Sequence, residues 1–322
     1  MNKPIIGVSS CLLGNNVRFD GGHKKHKLIT DCLSDFMQLK SICPEMGIGL
    51  STPRSAIRLQ KINNVTRLVQ SNDTETDHTN KMNEYSKLVL EKYSDLDGFI
   101  FKKGSPSCGV WRVPVVTNNN GQRTYDGTGI FTQKFLELYP WIPVEEEGRL
   151  NDPHLSESFF ERVYALRRWH DIENADQNLQ GFINFHSSHK LMLMARNHRE
   201  YQQLGQFVAA TTAHNLKERR LVYINNFMDV LKLRTSKGKN VNVLMHIMGY
   251  LKKKLHPGDK QELISVFDSY RKNKMPLITP ITLLQHHLKR YPSLYIQQQH
   301  YLAPCPSSSA LLTLRTTVQH GY

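Results

Sequence analysis

Cysteine is scarce in this sequence: five in 322 residues, an odd number. So few thiols argue against a disulfide framework, and a cytoplasmic, reducing location is expected. No C-x-x-C pair occurs, so neither the zinc-ribbon nor the bacterial-ferredoxin spacing is present. Long apolar runs are missing too, none approaching the ~20 residues of a membrane span. The N-terminus lacks a basic segment followed by an apolar stretch, so no secretory signal is expected. Glycine is thin where a dinucleotide fingerprint would need it, because Gly47-x-Gly49 has neither a third glycine nor a following helix.

What is present is unevenly charged. Residues 1–150 carry 19 Lys+Arg against 16 Asp+Glu, or +3, whereas residues 151–322 carry 23 against 12, or +11. The second half also holds 12 of the 15 histidines. A basic half beside a near-neutral one suggests a polyanion-binding module attached to something else, or a helical domain that is simply lysine-rich.

Taken in order, residues 3–10 and 97–101 read as strands, with one or two more strands in Ile57–Val69. Residues 27–39 have helical spacing that buries Cys32, Asp73–Asp77 reads as a polar linker, and Thr124–Gly129 as a turn. Thr79–Tyr93 reads as a helix with Met82, Tyr85, Leu88, Val89 and Leu90 inward, and another helix runs to about Tyr139. Pro140–Glu147 looks like a last strand and an exit. From Ser156 the pattern is helical, over 156–173, 178–194, 198–214, 217–235, 239–255, 259–272 and 280–290. The expected architecture is an α/β N-terminal domain, residues 1–148, with a mostly parallel sheet and flanking helices. An all-α C-terminal domain, residues 149–322, follows, with a poorly ordered tail after Pro304.

Three cysteines, Cys11, Cys43 and Cys108, each follow an apolar run that reads as a strand. Open α/β sheets place ligands at the carboxyl ends of their strands, so the three can converge on one side of one sheet. There they would hold a metal, with an iron–sulfur cluster as the favoured group, or remain three unrelated structural thiols.

The surrounding motifs carry a resemblance. Ser9-Ser10-Cys11-Leu12-Leu13-Gly14 with Arg18-Phe19-Asp20-Gly21, Cys43-Pro44-Glu45 through Pro53-Arg54, and Ser105-Pro106-Ser107-Cys108-Gly109 resemble the TudS family of thiouracil desulfidases. Phe19 stands where the related motif usually has tyrosine. The blocks His189–Ala195 with His198, Asn242–Tyr250 and Tyr270–Pro280 resemble the YbgA-like domain. The fusion of the two is similar to tRNA 4-thiouridine desulfidases of the RudS type.

The resemblance implies a 4Fe-4S cluster on Cys11, Cys43 and Cys108, leaving one iron without a protein ligand to take the thiocarbonyl sulfur while water supplies the oxygen. Such a site needs a group that moves a proton on the water. Glu45 is the candidate, as a buried carboxylate whose pKa is raised toward the working range, or else it is a salt-bridge partner that holds the loop. Ser105 and Ser107 are candidates to donate to that base or to cluster sulfides, or to serve the turn. Lys103 is a candidate to steady developing negative charge or a phosphate, or else a solvated surface residue, and Asp20 and Arg54 are candidates to shape the pocket. Arg219, Arg220, Lys252, Lys253 and Lys254 are candidate phosphate contacts. Tyr250, Tyr270 and Tyr291 are candidate base-stacking groups or core, and His186, His189 and His198 are structural or RNA-contacting rather than metal ligands.

The expected function is therefore an enzyme that converts 4-thiouridine in tRNA to uridine with release of sulfide. It has tRNA as its partner, no membrane and no obligate protein partner. The alternatives are desulfuration of free thiouracil-type bases, or a non-catalytic, metal-containing regulator that binds nucleic acid.

Overall fold

The computed structural model describes residues 2–117, 121–175 and 177–305, and the tail from Pro306 onward lies outside them. Strands β1 (Ile5–Ser9) and β2 (Gln38–Ile42) flank a loop that ends in the wide turn Leu28–Cys32 and the tight turn Leu33–Asp35. The helical spacing of 27–39 is therefore cut short, and Cys32 is only half-buried. The reason is β2, which must extend to pair with β1 from Ile5↔Gln38 to Ser9↔Ile42.

The single turn α1 (Pro44–Gly47) leads toward a hairpin, β3 (Ile57–Ile62) and β4 (Val65–Gln70). Asn63 and Asn64 form its two-residue loop, both at positive φ, as this tight turn requires. Strand β5 (Asp73–Asp77) occupies the stretch expected to be a linker. Helix α2 (Thr79–Leu90) buries Met82 and Leu90 but leaves Leu88 71% exposed, against expectation.

Next come β6 (Gly98–Phe101), β7 (Val113–Val116), β8 (Arg123–Gly127), α3 (Ile130–Leu138) and β9 (Val144–Glu146). β8 lies where a turn was expected.

Two sheets result, a four-stranded one in the order β2-β1-β6-β9 and a five-stranded one in the order β5-β4-β3-β7-β8. The first is parallel throughout. In the second only β3 and β7 run parallel. β5 and β8 are its edges, largely polar and exposed. An edge strand is held by backbone bonds on one side and needs no apolar alternation, which is why neither was legible.

The core under the parallel sheet is aromatic. Phe99 and Phe101 of β6 stack at 3.8 Å between ring centroids, and Phe135 of α3 meets them edge-on at 5.2 and 5.7 Å. Gly7 of β1 makes room for them: a Cβ there would stand 2.5 Å from the Phe99 ring. Asp97, fully buried just before β6, accepts hydrogen bonds from the Ile5 N–H at 2.7 Å and Arg167 Nη1 at 3.2 Å, with His170 Nδ1 at 2.8 Å. A buried charge needs such partners, so this pair ties α4 (Pro153–Ala175) to the sheet. One compact unit ends within α4 at His170, and the second begins at Asp171.

The second unit is helical, as expected: α5 (Leu179–Arg196), α6 (His198–Ala209), α7 (Leu216–Lys232), α8 (Lys237–Leu251), α9 (Pro257–Arg271), α10 (Ile278–Arg290) and the short α11 (Leu294–Gln297). Side-chain caps open several of these helices. Asn178 accepts from the Gly181 N–H at 2.7 Å, Asn197 from the Arg199 N–H at 3.0 Å, and Ser236 from the Lys239 N–H at 3.3 Å. α5 packs against α6, α7 and α8 and buries Phe182, Phe185, His186, His189 and Leu191–Ala195. A helix apolar on most sides is a central one. Among the described residues no helix is long and apolar enough to cross a membrane.

Candidate active site

β2, β1 and β6 lie side by side and parallel, so the chain leaves all three at the same edge of the sheet. Cys43 follows β2 directly, Cys11 lies in the turn after β1, and Cys108 in the loop after β6. The three thiols share one electrostatic neighbourhood. Burial pushes Cys11 up to about 11, with Lys102 opposing the rise and Cys43 adding to it. Burial also raises Cys43, the Met46 N–H opposing and the Glu45 charge adding. Cys108, fully enclosed, is raised as well, first by burial and then by Glu45, Cys43 and Cys11, against a hydrogen bond from Ser9. Tyr85 is part of the same neighbourhood: burial takes its phenol up to about 12, and Cys43 and Cys108 add to the rise.

The Cys108 loop is held by turn chemistry on one side and by carboxylates on the other. Ser105 Oγ accepts from the N–H groups of Ser107 and Cys108 at 3.2 and 3.1 Å, and the Ser105 carbonyl accepts from the Gly109 N–H at 2.8 Å. Glu146 Oε1 accepts from the Val110 and Trp111 N–H groups at 2.9 and 3.2 Å. Gly129 lies against this loop so closely that a Cβ would sit 2.5 Å from Ser107 carbonyl carbon and oxygen and 2.7 Å from Cys108 N. Ser107 is fully buried, and its Oγ has no hydrogen-bond partner among the described residues. Such an orphan needs a reason.

Glu45 opens α1 two residues after Cys43 and is paired with Arg54, whose Nη2 donates to Oε2 at 2.5 Å. Arg54 in turn donates to the Val17 carbonyl at 3.0 Å and the Ser51 carbonyl at 2.9 Å, so it joins two loops around the carboxylate. Asp20 is not brought in. It sits in an exposed turn bonded to Arg18 and to the Gly22 N–H, and these bonds, the Arg18 one first, hold its carboxyl below the ordinary range.

Lys103 is exposed, and its backbone N–H donates to Glu147 Oε2 at 2.7 Å. Its neighbour Lys102 is the lysine near the thiols: it pairs with Glu147, and both charges act on Cys11. His26 feels both as well, though burial is what chiefly lowers its pKa.

Sequence reasoning passed over Lys102, Glu147 and Tyr85. The run Glu145–Glu147 read as an exit, yet all three carboxylates are buried. The available signal was their position right after an apolar run, at the carboxyl end of the last parallel strand.

In the helical unit the expected phosphate contacts divide. Arg220 is buried and paired with Glu173, a correction to its expected place on the surface. Arg219 lies over the Phe207 ring at 3.8 Å and donates to the Phe207 carbonyl at 2.9 Å, capping the end of α6. Lys252, Lys253 and Lys254 are exposed at the end of α8. Tyr270 is core, bonded to Asn240 at 2.9 Å, and Arg290 lies 5.4 Å from the Tyr291 ring centroid, whereas Tyr250 is 46% exposed. His186 and His189 are buried.

Cys11, Cys32, Cys43 and Cys108 are free thiols. Among the described residues no three His, Cys, Asp or Glu side chains are grouped to hold a single metal ion. A tetranuclear cluster sets its thiolates wider apart than one ion does. Three thiols at one sheet edge, Cys108 buried and Cys11 and Cys43 half-buried, beside an orphaned buried hydroxyl, form a donor set of the right softness and number for such a cluster with one open corner.

Comparison with known proteins gives the following. Residues 6–147 match the family model described as 2-thiouracil desulfurase, and residues 190–306 match DUF1722, a protein family of unknown function. A curated relative, the uncharacterized protein YbgA of Escherichia coli (strain K12), is 28% identical over 158 residues, covering 49% of this chain and 94% of its own. A solved structure titled [4Fe-4S]-dependent thiouracil desulfidase TudS is 29% identical, with 48% of this chain and 96% of that chain covered and a TM-score of 0.37. The chain thus joins a segment that matches the 2-thiouracil desulfurase family to a segment that matches DUF1722.

Proposed function

We propose that this protein is a hydrolytic desulfidase that exchanges the sulfur of a thiolated pyrimidine for oxygen, with 4-thiouridine in tRNA as its substrate. The observation that carries the reading is the convergence of Cys11, Cys43 and Cys108 at the ends of three adjacent parallel strands, within the segment that matches the desulfurase family. Overall, C=S and water give C=O and hydrogen sulfide. Cys11, Cys43 and Cys108 would hold a 4Fe-4S cluster, which supplies one iron free of protein ligands, a Lewis acid suited to a soft sulfur.

The chain's own groups do the rest. Glu45 takes a proton from the water that attacks the thiocarbonyl carbon and returns one to the departing sulfur, a role worth about 10²–10⁴ in rate. Arg54 fixes the direction of that carboxylate. Ser107 Oγ, buried without a partner beside Cys108, donates to what occupies the site. Lys102 and Glu147 set the charge around Cys11. The tRNA preference rests on the +11 charge of residues 151–322, which suits a phosphate backbone.

Anaerobic purification tests the reading: brown protein with about four irons per chain is expected. Loss of thiocarbonyl absorbance is then followed with thiolated tRNA and with free 4-thiouracil. Turnover of tRNA in preference to the free base supports the proposal. Turnover of the free base alone would remove the tRNA substrate, and iron-free, colourless protein would remove the chemistry.

A further inference from the structure

An aromatic band that includes Tyr250, one of the candidate base-stacking groups, crosses the helical unit. The solvent face of α8 carries Met245, His246, Gly249 and Tyr250 at helical spacing, all exposed. His246 meets Tyr250 edge-on at 5.5 Å, and Tyr250 meets Tyr295 of α11 at 5.5 Å with rings 33° apart. Tyr201 of α6 is near enough to act, with Tyr250, on the Tyr295 phenol, which burial pushes up to about 12. Leu294 beside it is 80% exposed.

At one end of the band stand Lys252, Lys253 and Lys254. None of the three is in an ion pair among the described residues, and Lys254 Nζ reaches only the Pro292 carbonyl at 3.4 Å. Exposed rings are not core, and three adjacent unneutralised lysines suit an anionic partner.

Gly249 points the same way. A Cβ added there meets nothing within 4 Å, so packing in the free protein does not require glycine. Glycine inside a helix costs about 1 kcal/mol relative to alanine, and a close approach to the backbone is one reason to accept that. The position lies directly beside Tyr250.

We propose that this band is a platform for unstacked bases of an RNA loop, which lie on Tyr250 and Tyr295 while Lys252, Lys253 and Lys254 hold the flanking phosphates. Aromatic rings flanked by lysines fit nucleic acid better than an acidic peptide, which has no flat face to stack. The inference rests on the tRNA reading above for its partner, but not on the desulfurising chemistry.

The test uses the full chain and tRNA without 4-thiouridine, so binding is measured apart from turnover. Tyr250→Ala should weaken binding about 5- to 100-fold, the range for loss of one stacked base, while Tyr250→Phe should bind as the native chain does. The variant Lys252→Ser/Lys253→Ser/Lys254→Ser should lower the slope of log affinity against log salt by about 2 to 3. Free 4-thiouracil turnover should stay at its native rate in all three.

Unchanged tRNA affinity in Tyr250→Ala, or equal loss in the Phe and Ala variants, overturns the platform. So does polyglutamate that binds as tightly as tRNA and is lost in the same variants. Native protein that binds tRNA through this band yet turns over no thiolated substrate leaves the platform standing and defeats only the enzymatic reading.

Discussion

Arg54 Nη2 donates to Glu45 Oε2 at 2.5 Å while the same guanidinium nitrogen donates to the Val17 carbonyl at 3.0 Å. The carboxylate is therefore aimed by a group that itself bridges two loops. A lysine would supply the charge without the planar fork. Glu45→Gln should retain iron and lose turnover by about 10²–10⁴, and Arg54→Lys should lose about tenfold, since the carboxylate survives but is free to turn. Turnover per iron reads both. Full activity in Glu45→Gln would end its assigned role.

Ser105 and Ser107 look alike in sequence and do different things. Ser105 Oγ accepts two backbone N–H groups, so Ser105→Ala should cost about 1 kcal/mol of stability. Ser107 Oγ has no partner to lose. Ser107→Ala should leave the urea midpoint unchanged or slightly raised while turnover falls at least tenfold. A variant that loses stability but keeps turnover would reverse this assignment.

Gly129 is required by backbone, not by side chains. Its neighbours at 2.5 Å are the Ser107 carbonyl atoms, which cannot swing aside as a ring tip can. Gly129→Ala should cost about 3 kcal/mol, the overpacking range, and displace Cys108 with its loop. A lowered melting temperature together with reduced iron content is the expected pair of readings. Normal iron content in a destabilised variant would show that the loop shifts without the thiol.

His186, 2% exposed, has its Nδ1 3.0 Å from the Tyr223 hydroxyl. Burial takes its pKa down to about 4 from 6.5, with Lys190 adding to the shift. Between those values the unfolded chain binds the proton and the folded one does not, so stability falls as pH drops through that window. The full shift corresponds to roughly 3 kcal/mol. Urea midpoints from pH 7 to pH 4.5 should fall less steeply in His186→Gln than in the native chain, and identical slopes would exclude the effect.

Much of this was readable from residues alone. The helices of the second half announced themselves by apolar period and by breaks at Gly238, Pro257 and Pro276, because a helix's core face is written locally at 3.6 residues per turn. The runs before Cys11 and Cys108 were equally plain, since a buried parallel strand is apolar throughout; β2, at the sheet edge with Gln38, Lys40 and Ser41 in it, was not. Arg219 and Arg220 misled for a related reason. Adjacent helical residues point in different directions, and a basic pair does not say which one turns inward to Glu173.

Tertiary structure alone decided that β2, β1 and β6 are neighbours, and hence that three cysteines spread over nearly a hundred residues follow strands that end at one edge of the same sheet. Strand order is a property of pairing across long crossovers, and no local pattern encodes it. The same holds for Lys102 in place of Lys103, for the buried run Glu145–Glu147, and for the edge strands β5 and β8. In each case the deciding partner is remote in the chain, so the side chain's environment exists only once the sheet has closed around it.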